Sequence, residues 1–435
     1  MKKTLLTICL VWMCFSLSAQ KIIDLSGKWS FSIDRQDNGE KEKWFSHTLN
    51  DCINLPGSMP EKLKGDEVTA KTQWTGSLYD SSYYYNPYME KYRKEGNIKF
   101  PFFLTPDKHY VGAAWYQKEV NIPADWKGER ILLFLERPHI ETTVWVNGQK
   151  TGMQNSLCVP HQYDITRYVR PGKCTITIRV DNRIKEINVG PDSHSITDQT
   201  QGNWNGIVGR ICLQTTPKTY FDDIQIYPEP EQKLARVKVV IKGAGITKIK
   251  LSAESFNTDK KHIVPAIQQE IKLNKGVTET EMVLPMGNDM LLWDEFHPAL
   301  YKLKAEVTNG KKTEIKEIQF GMRRFEIKGK WFYVNGRKTQ LRGTVENCDF
   351  PLTGYAPMDV ESWERVFRIC RSYGLNHMRF HSFCPPEAAF MAADRVGFYL
   401  QPEGPSWPTH GPNLGLGHPI DKYLLDETIA FTQAS

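Results

Sequence analysis

Apolar residues along this 435-residue chain follow two different periods. From Lys21 to about Lys218 they alternate with polar ones in short runs: Trp29-Ser-Phe-Ser-Ile33, Ala114-Trp-Tyr-Gln-Lys-Glu-Val120, Ile131-Leu-Leu-Phe-Leu135, Thr142-Thr-Val-Trp-Val146 and Cys174-Thr-Ile-Thr-Ile-Arg-Val180. Period two with β-branched and aromatic residues marks half-buried strands. Asn147-Gly148 supplies a hairpin turn. No helix of length interrupts these runs, so the region reads as an antiparallel sandwich of jelly-roll type. The alternation resumes from about Tyr220 to Phe320, in Ala235–Ile241, Lys248–Ala253, Thr278–Leu284 and Tyr301–Val307, with a second hairpin turn at Asn309-Gly310. About a hundred residues of such strands fit an immunoglobulin-like sandwich.

Beyond Phe320 the period changes. Trp331-Phe-Tyr-Val-Asn-Gly-Arg337 predicts a hairpin, and Thr339-Gln-Leu-Arg-Gly343 a short buried strand ending in Arg-Gly. Asp359 caps a helix whose apolar positions Val360, Trp363, Val366, Phe367 and Cys370 recur at helical spacing, and Gly374 stops it. Leu375–Phe380 is the next strand; Pro385 and Pro386 open a second helix closed by Gly397; Phe398–Gln401 is a third strand; Asp421–Phe431 begins a third helix. Strand, helix, strand, helix, strand implies a parallel sheet. It is the opening of a (β/α)8 barrel, about three of eight units, because a full barrel takes ~250 residues. Three units leave an open strand edge, which makes the part after Arg323 the expected target of proteases.

Composition changes this picture little. Lys and Arg number 56 and Asp and Glu 50, a net +6 spread without basic blocks, so neither nucleic acid nor a membrane surface is indicated as a partner. Lys2 and Lys3, the apolar run Leu5–Leu17 and the small residues of Ser16-Leu-Ser-Ala19 form a secretory leader over 1–19. The run is shorter than the ~20 residues of a membrane span, so the expected product is exported, periplasmic or secreted, and free of the membrane once the leader is cleaved. The domains then read 20–218, 219–320 and 321–435. Seven cysteines remain after Ala19, an odd number without metal-site spacing, and they read as small buried hydrophobes rather than a disulfide framework. Between Thr72 and Asp107 six tyrosines, Tyr79, Tyr83, Tyr84, Tyr85, Tyr88 and Tyr92, crowd a polar insert. Such rings stack on sugars or pack locally, and the lack of period favours local packing.

At this point the residues resemble glycoside hydrolase family 2, the group of β-galactosidases, β-glucuronidases and β-mannosidases. The resemblance is carried by Leu25-Ser-Gly-Lys-Trp29, Trp115-Tyr-Gln-Lys-Glu119, Val144-Trp-Val-Asn-Gly148, Val180-Asp-Asn-Arg183 and Trp204-Asn-Gly-Ile-Val-Gly-Arg210. It continues through Leu292-Trp293, Pro298-Ala-Leu-Tyr301, Phe320-Gly-Met-Arg323, Leu341-Arg-Gly343, Asn376-His-Met-Arg379 and Ala393-Asp-Arg-Val-Gly397. It implies a sugar-binding sandwich, an immunoglobulin-like domain and a catalytic barrel, acting on β-linked glycans without a cofactor.

In that family two glutamates act as acid/base and nucleophile on later barrel strands, and retention needs them ~5–5.5 Å apart. No Asn-Glu dipeptide follows Pro419, so both are expected beyond Ser435 and no residue here is assigned either role. Glu403 and Glu346 lie near the carboxyl ends of barrel strands, where such sites are built; Glu403 reads as a supporting residue or as a loop cap or arginine partner. The resemblance makes Arg379 the arginine that holds the nucleophile, with a structural ion pair as the alternative, and gives Arg342 a similar case at the end of the first strand. It places the usual histidine at Ser382, leaving His381 one position early as an unsettled hydroxyl ligand. Asn347 and Asp349 fall where relatives place a sugar-contacting polar residue, and Trp407 and His410 offer a stacking face and a polar contact. Some relatives bind magnesium through Glu-x-His in that loop; here it reads Pro408-Thr-His410, and no metal is assigned. His194, Asp198, Asn203 and Trp204 occupy a loop that in relatives reaches the barrel mouth, with Trp204 equally a core residue. Three functions compete: a retaining exo-β-glycosidase, β-galactosidase first and β-glucuronidase or β-mannosidase after it; a non-catalytic carbohydrate-binding protein; and a structural β-rich protein.

Overall fold

The computed structural model describes residues 20–76, 80–101, 103–185, 193–200, 202–407 and 415–434. The expected leader, Tyr79 and His410 lie outside them. Two sheets face each other in the first sandwich. One has the order Gln149–Asn155, Glu141–Val146, Gly172–Asp181, Ala113–Ile122, Gly27–Asp34, Asp51–Leu55; the other runs Ile22–Asp24, Gly206–Thr216, Arg130–His139, His161–Asp164, with Gly57–Ser58 beside Gly206–Thr216. All these pairings are antiparallel. The alternation read from sequence is the cause. Val144, Val146, Ile176 and Ile178 point inward from one sheet and meet Leu133, Leu135, Ile211 and Leu213 of the other. The outer face is also covered, since Trp115 and Trp145 pack under Trp44, Phe45 and Leu49. The Trp115 indole is fixed there by donating to Asp34 Oδ2 at 2.9 Å. The tyrosine-bearing insert packs on itself: Tyr83 is buried with Phe100 and Phe103, while Tyr85 and Tyr88 stay exposed.

The second sandwich departs from the sequence reading in strand count. Ala235–Ile241 and Lys248–Ala253 are parts of one strand, Leu234–Phe256, which pairs along its length with Ile263–Pro285. Gly243 and Gly245, between the two expected strands, mark a register shift in this ladder rather than a break. Gly243 has no room for a side chain, because a Cβ would lie 2.5 Å from Thr219 Oγ1. Tyr220–Glu229, Leu300–Asn309 and Lys312–Phe320 complete the sheet.

The C-terminal unit contains three parallel strands, Gly343–Glu346, His377–Phe380 and Tyr399–Gln401, in that spatial order. Between them run the helices Val360–Ser372 and Glu387–Val396, and Pro419–Ala434 follows. Asp359 accepts from Ser362 N at 2.8 Å as the N-cap, and Gly374 and Gly397 have φ of 80° and 75°, both in the left-handed region. One strand boundary needs correction. Residues 337–339 belong to a hairpin with Trp331–Val334, and the parallel ladder starts only at Gly343 opposite His377. The cause is Asn376, whose side-chain oxygen accepts from Arg342 N at 2.7 Å while Leu341 packs toward Trp293. Among the described residues no helix is long and apolar enough to cross a membrane.

Both sandwiches hold this unit. Arg137 Nη1 donates to Cys384 O at 3.2 Å and Nη2 to Pro385 O at 3.3 Å, and Glu427 of the last helix accepts from Leu157 N and Cys158 N, both at 3.0 Å. On the other side Trp293 Nε1 donates to Asp394 O at 2.7 Å and Arg371 Nη1 to Glu295 O at 2.6 Å.

Candidate functional site

Side chains that end parallel strands gather at one rim. Arg379, near the end of the second strand, forks onto Glu403, with Nε on Oε1 and Nη2 on Oε2 at 3.1 Å. Ser382 N donates to Glu403 Oε2 at 3.0 Å. Burial raises the Glu403 carboxyl, but the guanidinium and the Ser382 amide outweigh it and hold the group below its usual range. Glu403 is therefore an ionised partner of Arg379, the ion-pair alternative weighed above, and poorly suited to give up a proton.

A loop of the first sandwich closes over the same rim. His194 N donates to Ser382 Oγ at 2.9 Å, and Ser195 Oγ donates to Ser382 O at 3.1 Å. Trp407 Nε1 lies 2.8 Å from His194 Nδ1 and 2.7 Å from Ser382 Oγ. Since an indole N–H only donates, His194 Nδ1 is an acceptor and its ring is neutral with the proton on Nε2. Burial and then the neighbouring His381 push His194 down to about 4, in keeping with that tautomer. The His194 and His381 rings lie 4.0 Å apart, and His381 Nδ1 is 3.3 Å from Asn347 Oδ1. His381 is lowered by burial and by Arg379. The rim thus offers one guanidinium–carboxylate fork, two imidazoles, an amide and an indole, a set that can hydrogen-bond hydroxyls and cover an apolar ring face.

Beside it, Glu346 at the end of the first strand accepts from Asp349 N at 3.1 Å. Burial, with Asp349 also opposing ionisation, raises the Glu346 carboxyl; burial raises Asp349 too. Among the described residues neither carboxyl has a cationic partner. No group of three His, Cys, Asp or Glu able to hold a metal occurs among the described residues.

Other assignments land elsewhere. Arg342 precedes the first strand instead of ending it, so it sits at the opposite end of the sheet, donating from Nε to Gly374 O at 2.7 Å and facing Glu295 at 3.5 Å. Asp198 is 1 % exposed and tied to Thr75 N and to Asn203 N at 3.2 Å. That leaves it a brace between loops, with its oxygens already taken. Trp204 is 4 % exposed and stacked on His139 with ring centroids 4.4 Å apart, which favours the core reading. Together with Asp198, Asn203 and Phe350 it lines a separate cavity of about 1290 Å³ under the insert. The sequence reading missed Ser193, Ser195 and Arg137. Small hydroxyl residues and a strand arginine carry no local signal; only the docking partner gives them a role.

Family models match two consecutive stretches: residues 22–217 fit the family 2 glycosyl hydrolase sugar-binding domain, and residues 219–323 a further family 2 glycosyl hydrolase domain. A β-galactosidase of Thermoanaerobacter pseudethanolicus is 24 % identical over 330 residues, covering 72 % of this chain and 42 % of that protein. A β-glucuronidase of Homo sapiens is 23 % identical over 448 residues, covering 93 % and 61 %. The solved β-glucuronidase of Ruminococcus gnavus in complex with D-glucaro-d-lactam superposes with a TM-score of 0.67 at 19 % identity, over 95 % of this chain and 63 % of that one. The chain spans less than two thirds of the length of these relatives. The structural likeness shows a shared fold, and with both sandwich regions matched by models of one family, the chain belongs to glycoside hydrolase family 2.

Proposed function

We propose that this chain supplies the sugar-binding side of a retaining exo-β-glycosidase site, acting on a β-linked terminal sugar, with β-galactoside the first substrate to test. In this reading 20–218 is the sugar-binding sandwich, 219–320 the immunoglobulin-like domain, and the parallel unit from 321 the opening of a (β/α)8 barrel. The observation that carries it is the shared rim: His194 of the first sandwich meets His381, Ser382 and Trp407 beside the Arg379–Glu403 fork. That rim lies at the carboxyl ends of parallel strands, where barrel enzymes build their sites. β-Glucuronide is the second reading, favoured by a glucuronidase relative that aligns over 93 % of this chain.

Substrate binding and hydrolysis separate in this proposal. Arg379, His381, Asn347 and Trp407 orient the sugar, while neither acid/base nor nucleophile is assigned to a carboxyl of this chain. The test uses aryl β-galactoside, β-glucuronide and β-mannoside, with saturation-transfer NMR for binding and released phenol for turnover. Binding of one glycoside, weakened about tenfold or more in Arg379→Lys because the bidentate fork is lost, with no turnover, is the expected result. Failure to bind any of the three would overturn the sugar role. Turnover abolished by Glu403→Gln would instead move the chemistry to Glu403.

A further inference from the structure

We propose that Cys158 and Cys384 form a disulfide that staples the first sandwich to the parallel unit, a covalent site separate from the sugar rim and independent of the reading above. Cys158 follows the strand Gln149–Asn155, and Cys384 lies in the loop after His377–Phe380, more than two hundred residues later. Their side chains are 6 % and 5 % exposed and belong to one apolar cluster with Ile140, Leu157, Ile196 and Tyr423. The two loops are fixed independently of the thiols. Arg137 Nη1 donates to both Leu157 O and Cys384 O, the latter at 3.2 Å, and Glu427 holds Cys158 N at 3.0 Å. Two loops from different domains are thus held by one guanidinium, with a cysteine of each in the same buried apolar cluster.

Both thiols are free in this structure, the Cys384 Sγ donates to Pro385 O at 3.6 Å, and each thiol shifts the titration of the other. The Cys384 thiol and burial push Cys158 up, whereas the Cys158 thiol pulls Cys384 down against burial, which makes Cys384 the attacking partner. A Cys384 thiolate attacks one sulfur of a disulfide-bearing oxidant and releases one thiol; Cys158, losing its proton to water, then displaces the second thiol from the mixed disulfide. Two cysteines are oxidised and one disulfide of the oxidant is reduced to two thiols. Burial in the docked state requires the exchange to occur before docking or during transient opening. An oxidising compartment, which export would provide, supplies the oxidant class.

The experiment is peptide mapping of the full chain after equilibration with a reduced and oxidised glutathione couple. Free thiols are alkylated in denaturant without reduction, and the digest is read by mass spectrometry. A single linked peptide joining Cys158 to Cys384 is expected, with Cys52, Cys174, Cys212, Cys348 and Cys370 alkylated. Reduction should lower the thermal midpoint by roughly 5 °C in the parent chain, the scale of closing a long loop, and leave Cys158→Ala unmoved. Full alkylation of both cysteines, or a link joining either to another cysteine, would overturn the proposal. Both readings come from the parent chain, so they stand even if Cys158→Ala fails to fold.

Discussion

Three histidines in or beside the first sandwich are locked in their neutral form. His139 is 2 % exposed and His161 is fully buried, and burial pushes them down to about 3 and about 4. His194 stands at about 4 for the same first reason, with its Nδ1 lone pair taken by donors. Unfolded histidine binds its proton near 6.5. Between that value and the folded values the unfolded chain holds more protons, so stability falls as pH drops and is unaffected by these groups above about pH 7. The loss is up to about 1.4 kcal/mol per pH unit for each histidine in its window. Urea midpoints measured from pH 7.5 to 4 should fall steeply below pH 6.5; a flat profile between pH 7 and 5 would contradict the neutral, buried assignment. None of this was legible in the sequence for His139 or His161, which sit in strands like any polar residue until the second sheet covers them.

At the scale of elements, the helix ends distinguish local from tertiary demand. Gly374 and Gly397 both stop helices in the left-handed region, but an added Cβ at Gly374 meets nothing within 4 Å, whereas at Gly397 it would lie 2.7 Å from Glu295 O. Gly374→Ala should therefore cost the backbone term alone, about 1–2 kcal/mol. Gly397→Ala should cost clearly more, about 3 kcal/mol or beyond, by also pushing the parallel unit off the immunoglobulin-like sheet. Equal losses in urea unfolding would mean that Gly397 is not pressed against Glu295. Both stops were legible from glycine after a periodic run. The Glu295 contact was not, because it joins residues a hundred positions apart.

At the scale of the whole molecule, the three-stranded parallel sheet is packed against its neighbours. Met378 and Phe380 are buried within their unit, Tyr399 is covered by Trp293, and the helix Pro419–Ala434 packs Tyr423 and Phe431 onto the first sandwich. Glu427 is 4 % exposed and its Oε2 accepts both Leu157 N and Cys158 N. Glu427→Ala strands two buried amides, each worth about 1–3 kcal/mol. Limited trypsin digestion should then cut early at Lys422, with the parent protected there for longer; identical time courses would show that this helix is not held by Glu427. The expectation that the segment after Arg323 is the weak part is checked by the same digestion of the parent chain; the structure shows this segment in contact with both sandwiches.

Alternation, caps and turn residues determined most of the strands and the helices, because burying one face of a strand and ending a helix are demands on neighbours a few residues apart, while the rim positions Arg379, His381 and Trp407 came from the resemblance to glycoside hydrolase family 2. What the tertiary structure alone decided is which groups meet. It set Arg342 at the far end of the sheet, spent Asp198 on bracing loops and paired Arg379 with Glu403. It also brought His194 onto Ser382 and Cys158 beside Cys384. These contacts join distant segments whose residue types look ordinary in isolation, and a hydrogen bond or a buried charge acquires its energy only when folding removes the water between such segments.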